Sequence, residues 1–383
     1  MLEKFTVENY KIFREPITLD FSNSHGYKFN ESCIKSGLIS KMIIYGPNAS
    51  GKSSLGYALF DIVMVLTDKT RSPKQLDELS FINADGDAKV ARFEYCFVKD
   101  NSHIRYMYKK TNPGLLVYEE LYVDNSKVFS FDFNTHESDF AGLRYINAEN
   151  LNFDYLENNL SILRYVANNT HQSADSIVKF IMNFASSMLW FRSLQDNSYI
   201  GLTTGRENVN SWIAENNLVE DFQDFLKDIA GIDVKLAAAD VFSSEAVDEQ
   251  TGIIPKKILI ELHKKTPLIF EQCASSGMKA LQLFYYWSKK LDKLSFLFVD
   301  EFDAFYHFEL SWKIIEFVLG FKDVQVIFTT HNQSLADNGL LRPDCYFVLD
   351  KGKIRSFADS TDRELRPGHN LEKMLRNGEF DVK

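Results

Sequence analysis

Met42-Ile43-Ile44-Tyr45-Gly46-Pro47-Asn48-Ala49-Ser50-Gly51-Lys52-Ser53-Ser54 decides the reading of this chain. The apolar run Met42–Tyr45 predicts a buried strand, and Leu55, Ala58, Leu59 and Ile62 then recur at helical spacing. Gly46 to Ser53 matches the pattern G-x-x-x-x-G-K-[ST] in full, and the strand before it and helix after it set it apart from an ordinary Gly-Ser turn. Glycines at Gly46 and Gly51 let the backbone turn tightly enough to aim successive N–H groups at phosphate oxygens, with the positive end of the helix behind them. In this pattern Lys52 reaches the β- and γ-phosphates and Ser53 ligates Mg²⁺.

Three further elements carry compatible chemistry. Phe296-Leu297-Phe298-Val299-Asp300-Glu301 reads as a buried strand ending in two carboxylates. Alone it is often just a polar exit to solvent; with the glycine loop upstream, Asp300 is expected to hold the metal and Glu301 to orient or deprotonate a water. Ala274-Ser275-Ser276-Gly277-Met278-Lys279 precedes Leu281, Leu283 and Phe284 on a helix. Its serine hydroxyl and glycine N–H make either an anion site or a plain helix cap. Val326-Ile327-Phe328-Thr329-Thr330-His331 places a histidine at the tip of another apolar strand, where a neutral imidazole contacts a γ-phosphate or the attacking water.

Outward from these elements the chain divides into three stretches. Residues 1–149 are expected to form an N-terminal lobe: Phe5–Val7 and Ile17–Phe21 have β character, and alternation from about Val90 to Phe133, with Asp-Asn and Asn-Pro-Gly turns, predicts a β-meander. Residues 150–230 turn to helical periodicity, as in Ile162-Leu163-Tyr165-Val166, and are expected to form a helical insertion. Residues 231–383, reopened by Ile258–Leu262, form the C-terminal lobe with Ser275, Asp300 and His331. A sustained heptad pattern is missing, which argues against a long coiled-coil arm.

Composition narrows the classes. Across 383 residues, 45% hydrophobic and 25% charged content with only 8 prolines fits an ordered globular chain. A formal charge of -10 argues against a generally basic nucleic-acid surface. Lys256-Lys257, His263-Lys264-Lys265 and Lys289-Lys290 are local exceptions that read first as solvated faces. The cysteines Cys33, Cys96, Cys273 and Cys345 show no paired spacing and are expected to be buried thiols in a reducing cytosol. The start MLEKFTVENYKIF carries charge where a signal peptide would have its apolar stretch, and no apolar run is long enough to span a membrane, so a cytoplasmic protein is expected. Arg363 and His369 have a spacing found in helical ribonuclease sites, but the chain after His331 is too short for a packed nuclease domain.

The order of these elements resembles the ABC-type ATPases of the Rad50, RecF and OLD group. More closely the chain is similar to the AAA15 family of bacterial stand-alone ATPases related to RloA. FTVENYKIF, IPKKILIELHKK, LLRPDCYFVLDKGKI and NLEKMLRNGEF are further matching pieces. The resemblance implies an α/β ABC-type ATPase head of two lobes, with ATP and Mg²⁺ as cofactors. Glu301 and His331 would be catalytic, Gly46 to Ser54 would bind the nucleotide, and Ser53 and Asp300 would hold the metal. Ser275 and Gly277 of one subunit would close on ATP held by Lys52 of another, giving an ATP-linked homodimer or higher oligomer. It also implies a sensor or scaffold role in anti-phage defence or a toxin-type system, with a separate nuclease-like effector; the alternative is a DNA-repair ATPase acting directly on nucleic acid. Met278 stands where a small hydroxyl residue is common, Tyr306-His307-Phe308 replaces Leu-His-Pro, and Gln75 is the candidate for the glutamine loop.

Overall fold

The computed structural model describes residues 1–68, 81–192, 198–201, 208–248, 252–304 and 306–382. Gln75 lies outside the described residues. Strands Met188–Arg192, Phe296–Asp300, Gln325–Thr330, Lys41–Tyr45 and Tyr346–Asp350 lie side by side in that order, all parallel. Ser198–Gly201 and Lys353–Ser356 close the two edges in antiparallel sense. Lys41–Tyr45, Phe296–Asp300 and Gln325–Thr330 are buried along their whole lengths. A parallel sheet covered on both faces selects such continuous apolar runs, which is why they stood out in the sequence. Parallel register also brings the C-terminal ends of these three strands to one edge of the sheet, where α/β folds place their ligands.

A second sheet is wholly antiparallel and consists of the meander plus the chain's first two strands. Its order is Ser138–Asp139, Ser126–Asp132, Leu115–Val123, Ser102–Asn112, Ala91–Lys99, Leu2–Glu8 and Ile17–Asp20. Asp100-Asn101 and Asp124-Asn125 all have φ between 47° and 69°, the left-handed pairs that two-residue hairpins require. Phe93, Tyr95 and Phe97 point inward on alternate residues. The Tyr95 hydroxyl donates to the carbonyls of Ala58 and Leu59 at 3.0 and 3.3 Å, tying this sheet to the end of the helix Lys52–Leu59.

The stretch 150–230 differs from the helical expectation in giving two strands, Met188–Arg192 and Ser198–Gly201, to the central sheet. Helices Ile162–Asn169, Ile177–Ser186, Val209–Glu215 and Val219–Ala230 are present, but Met188–Arg192 between them is a strand of the central sheet. A short apolar run directly after a helix has no periodicity of its own, so only its pairing with Phe296–Asp300 identifies it. The thiols also differ from expectation: Cys33 and Cys345 are buried, but Cys96 is half-buried on its strand and Cys273 is exposed at the end of a one-turn helix.

Ile258–Leu262 does not join the central sheet. It belongs to the strand Gly252–Glu261 of a small antiparallel sheet, between Leu236–Asp248 and Leu268–Ile269. With helices Val209–Glu215, Val219–Ala230 and Ser276–Ser288 this sheet builds a second, smaller core around Phe222, Leu236, Leu259, Leu281 and Tyr285.

Candidate nucleotide site

The glycine loop leaves Tyr45 at the centre of the sheet edge and enters the helix Lys52–Leu59 through Gly51, whose φ is 106°. At Gly46 a side chain would meet the Ser50 hydroxyl at 2.6 Å and the backbone of the neighbouring strand Tyr346–Asp350, so only glycine lets the loop lie this close. Pro47, Asn48 and Ala49 form the exposed tip, Ser50 is buried beneath it, and Ser53 and Ser54 follow on the first helical turn. Lys52 is buried, with its ammonium donating to the carbonyls of Gly46 and Pro47 at 2.9 and 3.1 Å. Burial lowers the Lys52 pKa below the ordinary lysine value, while Glu301, Asp300 and Asp303 pull it back up.

The sheet then delivers the acids and the histidine to this loop. The Ser53 hydroxyl donates to Asp300 Oδ2 at 2.7 Å, and the Thr329 hydroxyl donates to Asp300 Oδ1 at 2.7 Å. Glu301 begins the turn after the strand at φ 48°, a strained conformation for a non-glycine residue, and its N–H is held by Thr329 Oγ1 at 2.8 Å. His331 Nε2 lies 3.0 Å from Lys52 Nζ and 3.5 Å from Glu301 Oε1. An ammonium has only donors, so Nε2 accepts in its contact with Lys52. Lys52, Ser53, Asp300, Glu301 and His331 therefore form one connected cluster drawn from three adjacent strands.

Ser53 Oγ and Asp300 Oδ2 are hard oxygen donors facing one another, with the second oxygen of Asp300 already committed to Thr329. That donor set fits Mg²⁺, which takes one or two protein oxygens and completes its shell with phosphate and water. Ser275 and Gly277 are not brought to this cluster. The Ser275 hydroxyl caps its own helix by accepting from Met278 N at 3.2 Å, and Ser275 is exposed in the smaller core's neighbourhood.

Three contributors escaped the sequence reading. Thr329 orients Asp300 and Glu301 together; its signal was a polar residue inside an otherwise apolar strand. Asp303 hydrogen-bonds the Thr330 side chain, and burial raises its pKa with Glu301 adding to the effect and His331 opposing it. The turn Asn9–Phe13 reaches the loop, its Phe13 ring 3.1 Å from where a Gly51 side chain would begin. Asn9 and Lys11 adopt φ of 52° and 49° there, a tight turn that the polar break in FTVENYKIF hinted at.

The family model described as AAA domain, "putative AbiEii toxin, Type IV TA system", matches residues 41–337. Among solved structures, the SMC head domain from Thermotoga maritima is similar at 14% identity, with 93% of this chain and 98% of that chain covered and a TM-score of 0.45. The Smc head domain with an extended coiled coil bound to the C-terminal domain of ScpA derived from Pyrococcus furiosus is similar at 12% identity, with 98% of each chain covered and a TM-score of 0.46. No curated protein matches. Among the described residues no helix is long and apolar enough to cross a membrane.

Proposed function

This chain belongs to the AAA-domain family whose model it matches, and from that premise we propose that it binds ATP with Mg²⁺ and hydrolyses the γ-phosphate. The observation that carries the reading is the 2.7 Å bond from the Ser53 hydroxyl to Asp300, which joins the glycine loop to the acidic strand. Lys52 would exchange its contacts to the Gly46 and Pro47 carbonyls for the β- and γ-phosphates, a trade of weak acceptors for charged ones. Ser53 and Asp300 would hold Mg²⁺, which when bound offsets the charge of the phosphates. Glu301, held by Thr329 with its carboxylate beside His331, would orient the attacking water and accept its proton, and His331 would donate an imidazole N–H to the γ-phosphate once Lys52 has moved to the phosphates.

The site of one chain is incomplete in this reading. Ser275 and Gly277 at the exposed start of the helix Ser276–Ser288 would close on the nucleotide of a second copy, making ATP the link of a homodimer. The family description supports a place in a toxin–antitoxin system, and the resemblance to AAA15 ATPases supports an anti-phage sensor or scaffold that controls a separate, nuclease-like effector.

Complementation tests the shared site. Gly277→Glu brings negative charge towards the γ-phosphate and blocks close backbone approach, so ATP should bind one subunit without joining two. A mixture of Lys52→Ala and Gly277→Glu chains retains one composite site with both halves intact and should recover hydrolysis. Light scattering and turnover on single variants and their mixture decide the matter; mixed dimers without recovered hydrolysis would count against a shared site.

A further inference from the structure

We propose that the outer face of the small antiparallel sheet is the docking surface for an acidic polypeptide segment that presents apolar side chains. Successive residues of a strand point to opposite faces, and directly paired residues share one. Leu236 and Leu259 belong to the inner face and are buried in the smaller core. The opposite face consists of Ala237, Ala239, Val241, Ile258, Ile260 and Ile269, joined by the pairs Ala237↔Ile260, Ala239↔Ile258 and Ile260↔Ile269. None of the six belongs to either packed core. Val241 and Ile269 are each 39% exposed, and the other four are half-exposed. A sheet face of β-branched and small residues that neither packed core covers is the arrangement on which another element packs.

Charge identifies the occupant. Lys256 is paired with Val241 on the same face, Lys235 precedes Ala237 by two residues, and Lys264 and Lys265 lie in the exposed turn that follows Leu262. None of these four lysines has an ion-pair partner among the described residues. Of the neighbouring basic pair at the end of the helix Ser276–Ser288, by contrast, Lys289 pairs with Asp221 at 2.5 Å and Lys290 lies over the Tyr286 ring at 3.9 Å. Unpaired ammonium groups around an apolar stripe call for carboxylates around apolar side chains. A phosphate backbone would satisfy the lysines but leave Val241, Ile258 and Ile269 uncovered. A second copy packing the same face on itself would set lysine against lysine.

The face belongs to a different sheet from the one that carries the glycine loop and Asp300, so the inference does not depend on hydrolysis; it rests on the proposed function only in expecting a separate partner. The test uses the full chain and labelled probes read by fluorescence anisotropy. These are an amphipathic peptide of about 20 residues with leucine on one face and glutamate on the other, its lysine counterpart, polyglutamate of equal charge, and duplex DNA. The leucine–glutamate peptide should bind best, and Ile258→Glu and Lys256→Glu should each weaken it about tenfold or more. Thermal melting of both variants with and without ATP checks folding and keeps the two readings separate: loss of the ATP response in wild type would fail the ATPase reading alone. No peptide binding, polyglutamate or DNA binding as tightly, or Ile258→Glu abolishing self-association without any peptide would each overturn the docking proposal.

Discussion

Two lysines at opposite ends of the strand-and-loop segment 41–52 show how position in the fold separates structure from chemistry. Lys41 opens the strand at the N-terminal edge of the parallel sheet. It is 1% exposed, donates to the Val324 carbonyl at 2.9 Å, and burial pushes its pKa down to about 8. Around it the end is closed: Arg342 and Asp344 form a buried pair, with Arg342 Nε donating to Asp344 Oδ1 at 3.0 Å and His25 N donating to Asp344 Oδ2 at 2.8 Å. Lys52 at the other edge is also buried, but its contacts are carbonyls of a loop whose tip is open, and its neighbours Glu301 and His331 keep 26% and 38% of their side-chain surface. The closed end has every partner supplied by the chain itself. The open end holds its charges on acceptors that a polyanion can displace.

Four substitutions test that contrast, from the strongest effect to the weakest. Lys52→Ala should remove the ATP-dependent rise in melting temperature and lower hydrolysis by a factor on the order of 10³, about 4 kcal/mol, with little change in stability without ATP. Equal thermal shifts in mutant and wild type would erase the distinction between the two lysines. Asp344→Ala leaves Arg342 charged and unpaired in the interior, so urea unfolding should show a loss of about 3 kcal/mol; an unchanged midpoint would mean that this end is not closed. Glu301→Gln should retain Mg·ATP binding while hydrolysis falls by a factor on the order of 10², about 2.7 kcal/mol. Single-turnover measurements would reveal any other group that does this work.

Lys41→Met should stabilise the chain. The unfolded lysine titrates near 10.4 and the folded one near 8, so between those values the unfolded state binds more protons and stability rises with pH. Below about pH 8 the full cost of burying the charge is present. Removing the charge should therefore raise stability at pH 7 by about 2 kcal/mol, after discounting the lost bond to Val324, and flatten the rise between about pH 8 and 10. Urea titrations across that range check it; a rise of unchanged slope in the variant would assign the pH dependence to another group.

The glycine loop, the Asp300-Glu301 strand end, His331 and the meander were legible because each is a local pattern of residue types at fixed spacing. Local patterns hold no record of which strand lies beside which. The pairing of Phe328 with Ile43 and of Val299 with Phe328 joins segments far apart along the chain, and it alone brings Ser53, Asp300 and Thr329 within hydrogen-bonding distance. The same long-range pairing turned Met188–Arg192 into a central strand and set Lys41 in a closed interior. It also left Ile258 half-buried and outside both packed cores although Leu259 beside it is buried. The sequence by itself determined which chemical groups the chain carries and the secondary structure around most of them. Only the tertiary structure decided which groups meet and which stay open to a ligand, because burial and neighbours are set by contacts between distant segments that no local spacing encodes.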